Sequence, residues 1–211
     1  MKKYLIFILL VFFLCFSTLY SQEEEDKNET YLGIGYGIGF FYPSDVNDYL
    51  SDLYSSYVFS SGTPDMFLNF SGNISLTLPL SKSIDFEIFG DIGWAPKAIV
   101  ISGGPDDFYN YWRFSLGAIP QIKIPLYINS LYFGAGPSIN QMQFEDVKAS
   151  ALGGRAVFGY NIEGRKKIQI YAMYDYMKGS IKDNKLKYSS MGLDELSYST
   201  FSIGARFNFQ L

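Results

Sequence analysis

Eight charged side chains fall on the polar side of alternating segments in this sequence: Asp85, Glu87, Asp91, Arg113, Lys123, Arg155, Asp175 and Arg206. Four acids and four bases allow two kinds of chemistry, a relay of groups passing protons or ions, or a set of ion pairs filling a narrow space. The second is favoured, because an unpaired charge held away from water is costly while a satisfied network is not. The chain has no His, which removes the commonest general base and metal ligand. The glycine run Gly33-Ile34-Gly35-Tyr36-Gly37-Ile38-Gly39 lacks the G-x-G-x-x-G spacing of a dinucleotide loop and opens no helix. It reads as strand glycine leaving room for large neighbours, as does Gly134-Ala135-Gly136-Pro137. No catalytic residue, cofactor or metal site is expected.

The elements that carry these residues begin after a leader. Lys2 and Lys3, the apolar run Leu5 to Phe16 and the small polar stretch Ser17 to Ser21 make residues 1–21 a secretory signal peptide, too short to span a bilayer. Cleavage after Ser21 takes the single Cys, Cys15, with the leader. A lipoprotein signal at Cys15 is disfavoured by the bulky Leu14 before it. Residues 22–30 are an acidic N-terminal tether with nothing to bury. The formal net charge of −4 offers no basic surface for nucleic acid.

Residues 31–211 alternate with period two in eight segments. These lie near 32–42, 68–78, 84–94, 114–124, 131–139, 152–162, 168–176 and 201–211. The connections at 43–66, 95–110, 140–150 and 178–197 are long, and those near 80–83, 126–130 and 163–167 are short. Long loops on one side and short turns on the other are the asymmetry of an outer-membrane barrel. An eight-stranded barrel has a lumen just wide enough to be filled by side chains, so it cannot hold about 40 large apolar residues. The apolar face must therefore point outward into lipid, with Ile88 and Ile170 near mid-bilayer. Aromatics at strand ends (Tyr42, Phe67, Trp94, Trp112, Tyr176, Tyr198) suit interfacial girdles.

The last strand, Phe201 to Leu211, alternates to the final residue. In this pattern the sequence resembles the small outer-membrane barrels of the OmpA and OmpX type, over about residues 31–211. The resemblance implies an all-β fold, an eight-stranded antiparallel up-and-down transmembrane β-barrel in the bacterial outer membrane. It also implies recognition of Phe201 to Leu211 by the barrel-assembly machinery, although Leu211 stands where that family commonly ends in an aromatic. Catalytic outer-membrane barrels resemble one another in using a His, so a non-enzymatic role in envelope structure or surface interaction is expected. The alternatives are a narrow channel or small-ligand barrel using the lumen charges, and a soluble periplasmic barrel carrying a lipid.

Two finer expectations concern partners and register. After Pro43-Ser44-Asp45, Val46, Leu50, Leu53, Tyr54 and Tyr57 have helical spacing. They form either a lid on the barrel's own rim or, through Leu50, Leu53, Tyr54 and Tyr57, a contact surface for an unidentified extracellular ligand. A hairpin centred near Arg165 pairs Arg155 with Asp175, Val157 with Met173, Gly159 with Tyr171, and Asn161 with Gln169. A one-residue slip would turn a charge into lipid, so the pattern resists it.

Overall fold

The structure is a computed structural model and describes residues 29–54, 67–99, 107–162, 167–181, 193 and 195–211. The leader, nearly all of the tether, and Tyr57 lie outside the described residues. Eight strands form: β1 Tyr31–Phe41, β2 Phe67–Ser81, β3 Ile84–Ile99, β4 Asp107–Leu126, β5 Asn129–Phe144, β6 Val147–Ile162, β7 Lys167–Ser180 and β8 Glu195–Gln210. Each pairs antiparallel with the next, and β1 pairs with β8, closing an up-and-down barrel. A helix, α1 (Ser44–Tyr54), follows β1.

The alternation decides which face is wet. Along β1, Ile34, Tyr36, Ile38 and Phe40 are exposed, while Gly37, Gly39 and Phe41 are buried. Ile88 is 40% exposed and Ile170 is 52% exposed, whereas Asn73, Ser75 and Thr77 are buried. The apolar face is thus the outer one, which overturns the soluble lipid-carrying barrel: such a carrier would point these side chains inward. No helix among the described residues is long and apolar enough to cross a membrane. The crossing is made by strands, whose backbone groups are satisfied by the closed ladder.

The 140–150 segment is not a long loop. β5 and β6 continue until only Glu145 and Asp146 remain between them, with Glu145 at a left-handed φ of 50°. β3 likewise runs on to Ile99, and β4 starts at Asp107. The physical reason is an exchange of faces. Above the hydrocarbon core of the bilayer, the inward positions Ala95, Tyr111, Met142, Phe144, Val147 and Tyr198 are apolar and buried, and outward neighbours such as Gln141, Lys148 and Ser150 are polar. Once headgroups and water replace hydrocarbon outside, the strands are patterned as in a soluble barrel. The same exchange corrects the girdle. Phe67 and Tyr198 are buried in the mouth, while Tyr42, Trp112 and Tyr176 face outward.

One seam is irregular. β4 and β5 pair from Tyr111↔Phe144 to Gly117↔Ser138 and again from Gln121↔Gly134 to Leu126↔Asn129, with no pairing between. Pro120 and Pro137 fall in this interval, and neither has an N–H to give the ladder.

Candidate functional site

The lumen is a stack of polar and apolar layers placed by inward parity. Nearest the short turns, Lys123 Nζ on β4 meets Asp85 Oδ1 on β3 at 3.1 Å. Above it Arg206 Nη1 donates to Glu87 Oε2 at 2.6 Å, and Gln121 Nε2 donates to the same oxygen at 2.7 Å. Arg206 Nε also donates to Asn73 Oδ1 at 3.0 Å, and Asn73 Nδ2 donates to Tyr171 Oη at 2.6 Å. That hydroxyl in turn donates to the Tyr36 carbonyl at 3.1 Å.

A second apolar cluster, formed by Phe89, Ile119, Tyr132, Val157, Tyr171 and Met173, fills the lumen alongside these charges. Val157, Tyr171 and Met173 follow from the expected β6–β7 register, whereas the outward-apolar pattern does not announce Phe89, Ile119 or Tyr132. Over it four charges close on one another. Arg155 Nε and Nη2 donate to Asp175 Oδ1 and Oδ2 at 2.6 and 3.0 Å. Arg113 Nη1 reaches Asp175 Oδ2 at 2.5 Å, and Arg113 Nη2 also donates to Asp91. Arg155 Nη2 stands 3.5 Å from Asp91 Oδ2. The guanidinium of Arg155 lies 4.0 Å from the centre of the Phe89 ring, and that of Arg113 lies 4.5 Å from the Tyr198 ring centre. Two guanidiniums and two carboxylates cancel, so the cluster is neutral and its charges are held away from water by mutual pairing.

All eight charges named from sequence therefore face the lumen and pair there. The expected register is present in full: Arg155↔Asp175, Val157↔Met173, Gly159↔Tyr171 and Asn161↔Gln169. The pair was drawn too small, since Asp175 serves Arg113 as well. The glycine run is also accounted for. A Cβ added at Gly37 would lie 2.9 Å from Ser71 Oγ and 3.4 Å from Tyr171 Oη, so β1 makes room for its neighbours' side chains. Among the described residues no group of His, Cys, Asp or Glu could hold a metal ion.

α1 packs into the mouth at the long-loop end of the barrel. Val46, Tyr49 and Leu50 are buried against Phe41, Phe67, Tyr111 and Phe144. Phe41 and Tyr198 stack with centroids 4.5 Å apart, and Tyr111 Oη donates to the Ser197 carbonyl at 2.9 Å. Leu50 is fully buried and so is no part of an exposed contact surface; its helix lies on its own barrel because the mouth offers the apolar partners. The side chains of Leu53 and Tyr54, and all of Tyr57, lie outside the described residues. Lys97 was missed. It is buried, donates to Asn47 Oδ1 of α1 at 3.3 Å and sits 4.4 Å above the Phe67 ring centre. Continuing the Asp85, Glu87, Asp91 parity past Trp94 would have found it, but Pro96 made that stretch read as loop.

The closed ring with its apolar exterior has counterparts among solved structures. The crystal structure of Neisserial surface protein A is similar with a TM-score of 0.52 and 15% identity, covering 85% of this chain and 97% of that one. The fold is that of the small bacterial outer-membrane barrels. OprG from Pseudomonas aeruginosa (TM-score 0.46, 11% identity, 87% of this chain and 97% of that one) was also found. So was Ail of Yersinia pestis in complex with sucrose octasulfate, a heparin analogue (TM-score 0.41, 18% identity, 87% of this chain and all of that one). No family model matches the sequence, and no curated protein matches it. In this outer-membrane barrel the lipid-facing belt is the outer surface of all eight strands, and the charge stack is its axis.

Proposed function

We propose that the protein is a non-enzymatic, lipid-embedded barrel with a closed lumen, acting in envelope structure or surface interaction rather than in transport. The observation that carries this reading is the neutral cluster of Asp91, Arg113, Arg155 and Asp175, which ties β3, β4, β6 and β7 together across the lumen. Beneath it the Glu87–Arg206 pair repeats the device, and above it α1 fills the mouth. A passing ion would have to separate buried pairs at two levels, each with a large desolvation cost. In the absence of His, the inward hydroxyls have no base of the usual kind to activate them. The C-terminal strand, with Phe201, Ile203, Phe207, Phe209 and Leu211 outward, is the segment offered to the barrel-assembly machinery. Planar-bilayer recording tests the closed lumen: the protein is expected to insert without unitary currents. Steady, voltage-independent openings would overturn it in favour of a narrow conduit.

A further inference from the structure

The outer wall is uneven in height. Leu116, Ile139 and Leu152 stand opposite one another across β4, β5 and β6, and they are among the most exposed side chains on the wall. Directly beneath them the outward positions are Ala118, Pro137 and Gly154, followed by Pro120, Ala135 and Ala156. The tall row resumes with Ile122, Phe133 and Phe158. The tall rows stand about 20 Å apart centre to centre, and the recess between them spans three strands, about 10 Å, from the residue rise and strand spacing of a sheet. Its upper end encloses about 260 Å³ over Ala118 and Pro137. Its floor coincides with the unpaired β4–β5 interval, where the two prolines stand.

What lies above the depression is polar and includes one cation. Four residues up β6 from Leu152 is the exposed Lys148, with Ser150 between them and Gln141 opposite Ser150. Lys148 stands opposite Gln143, Gln143 opposite Trp112, and Trp112 opposite Trp94. Tryptophans mark the interfacial level of a bilayer. Asp146, the acid nearest Lys148 in sequence, is exposed in the turn beyond it, and Glu145 is held by the Asn110 amide at 2.7 Å. A second groove of about 310 Å³ lies between Ile38, Phe40, Leu68, Phe201 and Ile203. The strands beside it carry Tyr42 and Ser199 at that height, not a cation.

We propose that the β4–β6 wall is a binding site for one anionic, phosphate-bearing lipid of the outer leaflet, with an acyl chain in the depression and the phosphate at Lys148, Ser150 and Gln141. The site is continuous with the lipid-facing belt, so its occupant comes from the bilayer. A second barrel presents a convex wall and does not reach a floor recessed between tall rows, whereas a flexible hydrocarbon chain is narrow enough to settle into it. The proposal rests on the outward, lipid-facing reading of this wall.

The test is lipid retention by the folded protein in detergent, read by native mass spectrometry. The probes are dioleoyl phosphatidylglycerol and dioleoyl phosphatidylcholine, the latter with a zwitterionic headgroup. The protein is expected to retain one phosphatidylglycerol about fivefold more strongly than phosphatidylcholine, the preference that one lysine near an anionic headgroup confers. Lys148→Gln should abolish the preference, and Gly154→Leu should displace both lipids by filling the floor, where an added Cβ meets nothing closer than 3.8 Å. Ala156→Leu serves if the glycine variant fails to fold. Lys178→Gln, which breaks the exposed 2.7 Å pair with Glu195, should change nothing. Equal retention by the Lys148 and Lys178 variants overturns the headgroup site, and a protein dimer lost on filling the floor overturns the acyl chain in favour of a second copy. A protein that folds without detergent would sink the lipid-facing wall itself.

Discussion

Asp175 is the residue on which the lumen turns, since it accepts from both Arg155 and Arg113. Asp175→Ala should cost about 3–5 kcal/mol in a refolding titration, because it strands two guanidiniums with a single carboxylate. The double change with Arg155→Ala should be milder than the sum, since it leaves Asp91 and Arg113 as a complete pair. Additive losses would break the network account. On the other face, Ile88→Arg or Ile170→Arg should cost about 2–4 kcal/mol in the same titration, and Ser71→Ala on the lumen side should cost less. The charges could be read from sequence because they share a parity with small residues. Tyr171 follows only through the β6–β7 register, and Phe89 and Tyr132 could not be placed, because a large residue on the inward parity is compatible with the pattern only when a glycine faces it. Gly159 opposite both Tyr132 and Tyr171 is such a case, and that pairing needs the register.

At the scale of the strand, alternation located every element but gave most of them too short. The apolar parity that marks a lipid-facing strand ends where the lipid ends, so Met142, Phe144 and Val147 read as a break although the backbone continues. A boundary in hydropathy was taken for a boundary in structure. Met142→Asp should therefore destabilise the protein by a few kcal/mol, as burial of an unpaired charge does, while Gln141→Leu should be nearly neutral in stability. The reverse ranking would mean that these hairpin arms are not sealed inside. The β4–β5 seam makes a separate prediction. Amides flanking Pro120 and Pro137 should exchange with deuterium faster than those of the continuous β2–β3 ladder from Phe70 to Pro79. Uniform protection around the ring would contradict the interruption.

For the molecule as a whole, the closed ring and its orientation followed from the eight alternating segments and the capacity of a small lumen. The plug did not, because α1 had two plausible surfaces to lie on and only the apolar mouth decides between them. The ring has one pairing between strands distant in the chain, β1 with β8, and it is the pairing that must wait longest. Between Tyr31 and Phe41, the inward positions of β1 are Gly33, Gly35, Gly37 and Gly39. Between its two ends the first strand thus brings no inward side chain into an interior that β2 to β8 already supply with charges and rings. It can arrive last and settle by backbone hydrogen bonds alone, without any neighbour having to move aside. Gly37→Val should consequently slow the final closure of the barrel, read by stopped-flow tyrosine fluorescence and protease resistance, more than it slows insertion into lipid, because the obstruction is met only when the ring shuts.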